Sequence, residues 1–192
     1  MKTDLDHLPA NKQRELERVK AIIFEEFEDA LALGTMSWKK KGRIDKIILY
    51  GSYARGGWVD EPHTAKGYRS DFDLLIIVSD KRLTDKVDYW LKLEDRLNRE
   101  LAIDKTLHTP VNFIVHTLQE VNDGLAHGRY FFMDIARDGI ALYQSDDSEL
   151  ATPRPKTPQQ AYDMAKEYYD QWFELAVSSR MGFQFFYEAK QY

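Results

Sequence analysis

The sequence predicts an α/β domain on a small mixed sheet with flanking helices, followed by a helical C-terminal segment. Three observations predict it. Apolar runs at 44–50, 72–79 and 111–116 alternate with stretches of helical periodicity. The first run ends at Gly51-Ser52, and the second opens on an acidic pair, Asp71 and Asp73. At 152–158, TPRPKTP, three of the six prolines cluster and the composition changes.

Residues 8–33 read as a helix, because Leu16, Val19, Ile23, Phe27 and Ala30 recur at three- and four-residue steps, with Gly34 as its stop. Lys39, Lys40, Lys41 and Arg43 form a basic run that reads as a solvated loop, the alternative being a rim contact for a polyanionic acceptor. The run at 44–50 is apolar enough for a central strand, and 52–58 reads as a short helix. After the strand at 72–79, Leu83, Val87, Trp90, Leu93, Leu97 and Leu101 predict one long helix over 81–102. A strand at 111–116, helices at 118–126 and 130–136, and a short strand at 140–143 complete the first domain, residues 1–150.

The stretch 151–158 is the expected linker. From 159, a helix carries Ala161, Met164, Tyr168, Trp172 and Leu175 on one stripe, and a second piece starts near Gly182 and runs to Tyr192. So many aromatics cannot be buried by one and a half helices. They fold back on the first domain, or dimerise, or begin a longer domain; the last is the expectation.

Net charge is −5, which argues against coating nucleic acid by bulk charge. With no cysteine there is no thiol catalysis and no Cys-ligated zinc. The charged N-terminus lacks a signal-peptide core, and no window reaches the length of a membrane span, so a soluble cytoplasmic protein is expected.

The chemistry centres on Ile47 to Val78. Asp71 and Asp73, two apart on a strand, point to one face. Like charges side by side are costly unless a cation lies between them, and magnesium takes carboxylates together with substrate phosphates. Taken alone, a D-x-D pair is more often a turn cap and a solvated residue. Gly51-Ser52 changes the balance: glycine allows close backbone approach to a phosphate, and the following N–H groups and the Ser52 hydroxyl are donors. Arg55, one helical turn on, can face the same anion. The P-loop pattern G-x-x-x-x-G-K-[ST] is absent.

GSYARG followed by SDFDLLIIV resembles the DNA polymerase beta-type nucleotidyltransferase superfamily, and especially its minimal bacterial and kanamycin-type members. The resemblance covers about 15–145. FFMDIARDGIALY and the linker into an aromatic helix resemble the subgroup fused to a HEPN helical domain, which would be incomplete here. The resemblance implies a polymerase beta-like fold, Gly51 and Ser52 as the phosphate turn, and Asp71 and Asp73 as ligands of Mg2+. It further implies transfer of a nucleoside monophosphate, AMP from ATP, to a hydroxyl of a protein or RNA acceptor. A homodimer through the C-terminal helices is an accompanying possibility.

Two departures stand out. Eighteen residues separate Ser52 from Asp71. The extra segment, Trp58 to Arg69, with Lys66, Tyr68 and Arg69, reads equally as a lid or a surface loop. The position of the family's third carboxylate is Asn112, which brings no charge and cannot act as a base. Asp134 is a possible substitute acid, although its helical spacing favours a turn or helix contact. His116, on the same strand face as Asn112, could lie near the site, but a lone strand-end histidine is more often structural. Residues 159–192 lack the Arg-then-His signature of HEPN ribonucleases. Three readings therefore stand: an active transferase; a catalytically impaired nucleotide-binding antitoxin or regulatory module controlling a HEPN ribonuclease; and, behind these two, an oligomerisation scaffold through the aromatic tail.

Overall fold

Alternating apolar side chains on the central strands demand cover on both faces, and the chain supplies a helical layer to each. The computed structural model describes all residues except 33–35, 37, 62, 64–66, 154–155 and 191–192. The expected helix stop at Gly34, Lys66 of the insert, Arg154 and Pro155 of the linker and the terminal Tyr192 lie outside the described residues.

The elements run α1 (Ala10–Ala32), β1 (Ile44–Tyr50), α2 (Gly51–Arg55), β2 (Phe72–Val78), α3 (Lys86–Tyr89), α4 (Leu91–Arg99), β3 (Val111–Thr117), α5 (Leu118–Ala126), α6 (Tyr130–Asp138), β4 (Ile140–Gln144) and α7 (Pro158–Glu188). The sheet order is β3-β2-β1-β4. β1 is antiparallel to β2 and β4, whereas β2 and β3 are parallel, so the sheet is mixed and β1 is central, as expected. The described residues divide into two compact units, Met1–Pro153 and Arg154–Tyr192.

The strand pleat sorts the core. Ile47, Leu49, Phe72, Leu74, Ile76 and Val78 join Leu16, Val19, Ile23 and Phe27 of α1 and Leu93 and Leu97 of α4 in one cluster. Ile48, Leu75 and Ile77 face the other way, against Val121 and Leu125 of α5 and Phe132 and Ile135 of α6. Each fully buried aliphatic or aromatic side chain contributes roughly 1.5–3 kcal/mol of burial energy. The candidate site positions are polar members of the second face.

Several boundaries differ from expectation. The stretch 81–102 is not one helix but a 3-10 turn (Lys81–Thr84), α3, α4 and a π turn (Glu100–Asp104). Its apolar spacing is continuous, but the Asp80 and Asp85 side chains cap successive starts by accepting from the Arg82 and Asp88 N–H groups. Trp90 leaves helical geometry at the α3–α4 junction, and its buried indole donates to the Leu83 carbonyl at 2.7 Å. α2 ends at Arg55 rather than at 58, because Gly56 takes the left-handed conformation (φ 76°) and closes it.

The C-terminal unit is one helix rather than two pieces. It starts at Pro158, behind a capping box formed by Thr157 and Gln160. Gly182 lies inside it and does not interrupt it; glycine lowers helix stability there by about 1 kcal/mol but ends a helix only when it turns left-handed. None of its side chains is buried within its own unit.

Candidate active site

Three residues on neighbouring strands form one row across the sheet. Tyr50, the last residue of β1, pairs with Asp73 of β2, and Asp73 pairs with Asn112 of β3. The pleat puts all three on the α5–α6 face, next to the buried Ile48, Leu75 and the half-buried Ile114. Asp71, two residues before Asp73, accepts a hydrogen bond from the Asn112 amide. Asp71 and Asp73, expected from their spacing, and Asn112, expected from the resemblance, therefore lie together.

Gly51 follows Tyr50 directly and has φ +75°. A Cβ there would overlap a carboxylate oxygen of Asp73 and lie 3.1 Å from its Cγ. The position thus needs glycine twice, for its backbone angle and for the approach of Asp73. Behind it, Tyr53 is buried, tilted on Phe72 at 4.5 Å and stacked on Trp58 at 5.4 Å. His7 Nε2 donates to the Tyr53 carbonyl at 2.8 Å. Ser52 on this turn is half-buried and Arg55 is exposed.

Electrostatics single out the pair. Burial raises the Asp73 carboxyl to about 6, the Asp71 charge adds to it, and Arg55 opposes it more weakly. The Tyr50 phenol is pushed up to about 12 by burial and then by Asp73 and Asp71. A carboxyl raised by burial and by a neighbouring carboxylate fits a bound cation, which would reverse the shift. Among the described residues no group of three or more His, Cys, Asp or Glu side chains could hold a metal. Asp71 and Asp73 would thus need outside oxygens, as magnesium takes from substrate phosphates.

Beside the pair lies a cavity of about 180 Å³ lined by Tyr50, Gly51, Arg55, Phe131, Asp134 and Ile135. Phe131 meets the Tyr50 ring edge-on at 5.5 Å. Asp134 makes the helix contact its spacing suggested, to Arg137 one turn on at 2.9 Å, yet it also lines this cavity with Gly51 and Arg55. Tyr50 and Phe131 were not anticipated. The signal for Tyr50 was its place immediately before Gly51; Phe131 has no sequence signal, because α6 arrives from another part of the chain.

His116 is four residues along β3 from Asn112, roughly 13 Å away, and pairs with Glu120 at 3.5 Å. It belongs to a different surface, with Asp123, His127 and Arg129. The basic run Lys39–Lys41 precedes β1 and so lies at the opposite end of that strand from Tyr50, roughly 20 Å off. The Trp58–Arg69 insert is pinned at its base. Val59 N–H donates to Ser70 Oγ (2.9 Å), Ser70 N–H to the Val59 carbonyl (2.8 Å) and Glu61 N–H to the Tyr68 carbonyl (2.9 Å).

The family model described as Polymerase beta, Nucleotidyltransferase matches residues 36–148. A Methanocaldococcus jannaschii protein named "Putative protein adenylyltransferase" is 51% identical over 39 residues, which are 20% of this chain and 31% of that relative. The chain thus matches about a third of that relative's length. No solved structure matches.

Proposed function

Because the chain belongs to the polymerase beta nucleotidyltransferase family, we propose that it is a magnesium-dependent enzyme transferring AMP from ATP to a hydroxyl of a protein or RNA. The observation that carries the reading is the row Tyr50–Asp73–Asn112 closed by Gly51, with two mutually repelling carboxylates beside a left-handed glycine. Asp71 and Asp73 would hold the metal. Bound divalent cations would supply charge neutralisation for the triphosphate and a lowered pKa for the attacking hydroxyl. Gly51 lets the backbone come close to the phosphates, the Ser52 hydroxyl donates to them, and Arg55 balances their charge. Tyr50 and Phe131 give the adjoining cavity an apolar wall. The protein acceptor is favoured by the name of the archaeal relative.

A second reading rests on Asn112. It stands in the row at the third-carboxylate position, and its amide engages Asp71. An amide adds no charge and takes no proton, so the site could bind nucleotide yet turn over poorly. A regulatory module restraining a HEPN ribonuclease would need no more. The uncovered apolar half of α7, including Tyr168, Tyr169, Trp172 and Phe173, suits either a partner of that class or a second copy of the chain.

Label transfer from α-labelled ATP to candidate proteins and RNAs, with and without magnesium, separates the readings. The enzyme gives magnesium-dependent label; the regulator binds ATP and leaves every acceptor unlabelled. Sedimentation of wild type and Trp172→Glu tests the homodimer, which the charge should weaken.

A further inference from the structure

One buried cation plays no part in the chemistry above. Lys12, in the first turns of α1, is only 5% exposed, and a lysine is rarely buried so deeply without partners. Its contacts reach all three segments that form the site. Its ammonium donates to Thr109 Oγ1 at 2.6 Å, and Thr109 lies three residues before Asn112. It lies 3.6 Å from Asp60, in the base of the insert that leads into Asp71. It also sits over the Tyr53 ring at 5.8 Å, and Tyr53 anchors the turn after Gly51.

The network closes on itself. The Thr109 hydroxyl donates to Glu15 at 2.6 Å. Asp60 also pairs with Arg69 at 3.3 Å, and Arg69 donates to the His108 carbonyl at 3.3 Å. Beyond it, the Phe72 N–H donates to the Pro110 carbonyl at 2.8 Å, which joins the leading ends of β2 and β3 directly. Asp71 stands two residues after Arg69, and Asn112 three residues after Thr109, on these two lines of chain. Their mutual hydrogen bond requires both leading ends to be held at one spacing.

We propose that Lys12 is a positioning residue: through Thr109 and Asp60 it sets the spacing of Asp71 and Asn112 and so shapes the metal–nucleotide site. The proposal rests on the reading of Asp71 and Asp73 as metal ligands. Its structural half, the coupling of Lys12 to Asn112, can be measured without any metal.

The test uses the full chain carrying Lys12→Met, Thr109→Val or Thr109→Ser, below each variant's unfolding temperature. The Asn112 side-chain amide resonance, assigned by its loss in Asn112→Asp, reports the bond to Asp71. Manganese–ATP affinity reports the site. In Lys12→Met and Thr109→Val the Asn112 signal should shift and affinity should fall about tenfold, as for residues that orient metal ligands. Thr109→Ser keeps the hydroxyl and should retain both. An Asn112 signal identical to wild type in Thr109→Val, which is nearly isosteric and spares the buried charge, overturns the proposal even if Lys12→Met fails to fold. A shifted signal in a protein that binds no manganese–ATP in any form overturns the metal reading and leaves the positioning role intact.

Discussion

The two ends of the central strand pair treat acidic residues in opposite ways. Where β1 begins and β2 ends, each acid has a cation beside it. Arg43 meets Asp45 at 2.7 Å, Lys46 approaches Asp146 at 3.9 Å and Arg82 meets Asp80 at 2.6 Å. Arg82 holds the Asp80 carboxyl down to about 2. Where β1 ends and β2 begins, Asp71 and Asp73 stand together and Asp73 is pushed up to about 6. The first end has its charges matched, even at the buried Asp45 and Lys46. The second keeps an imbalance that Arg55 offsets only weakly, which is why it reads as a site.

The largest expected effect breaks that imbalance. Asp73→Ala should lower label transfer by about 10³-fold, the scale of losing a principal electrostatic group. Transfer at wild-type rate would falsify the assignment of Asp73. Next is Gly51→Ala, which forces a side chain into a left-handed backbone and against Asp73; it should cost about 1–3 kcal/mol in denaturant unfolding and abolish ATP binding. A variant that binds ATP normally would mean the turn does not need its close approach.

Smaller changes sharpen the comparison. Asn112→Asp adds the missing charge and should raise manganese affinity and transfer about tenfold if that position enters the metal shell. Unchanged affinity and rate would remove Asn112 from it. In metal-free protein Asp73 should also shape the pH profile. Its folded pKa lies above the ordinary 3.8, so the folded state binds the proton more tightly. Its contribution is present below pH 4 and lost as pH rises to about 6, by about 1 kcal/mol after discounting for solvent screening. Asp73→Asn should flatten that slope; a slope unchanged by the substitution would place its origin elsewhere. At the opposite end, Asp80→Asn should leave transfer unchanged, and its loss of stability should vanish only in acid, as pH falls through the lowered pKa.

What the sequence made legible was local or periodic. Gly51 and the Asp71–Asp73 pair stand near one another along the chain, and strand parity puts the two acids on one face. Asn112 could be placed only through the resemblance, as the position aligned with the family's third carboxylate on the next strand. The Lys12–Thr109 and Thr109–Glu15 bonds could not, because 97 and 94 residues separate the partners and no period links them. The interruption at Trp90 was hidden for a different reason: the apolar spacing continues across it, while the cause is a side-chain hydrogen bond. Single-helix continuity through Gly182 was missed because a new helical piece was started at a glycine that in fact has open space around it and no left-handed turn.

The stitched base of the insert has one more consequence. Val59 and Ser70 are bonded to one another in both directions, immediately before Asp71. Whatever is threaded between Glu61 and Tyr68 therefore begins and ends at a fixed gate. Segments of other lengths could be spliced there without carrying a displacement into β2, so this loop can diversify while the row beneath it stays in register.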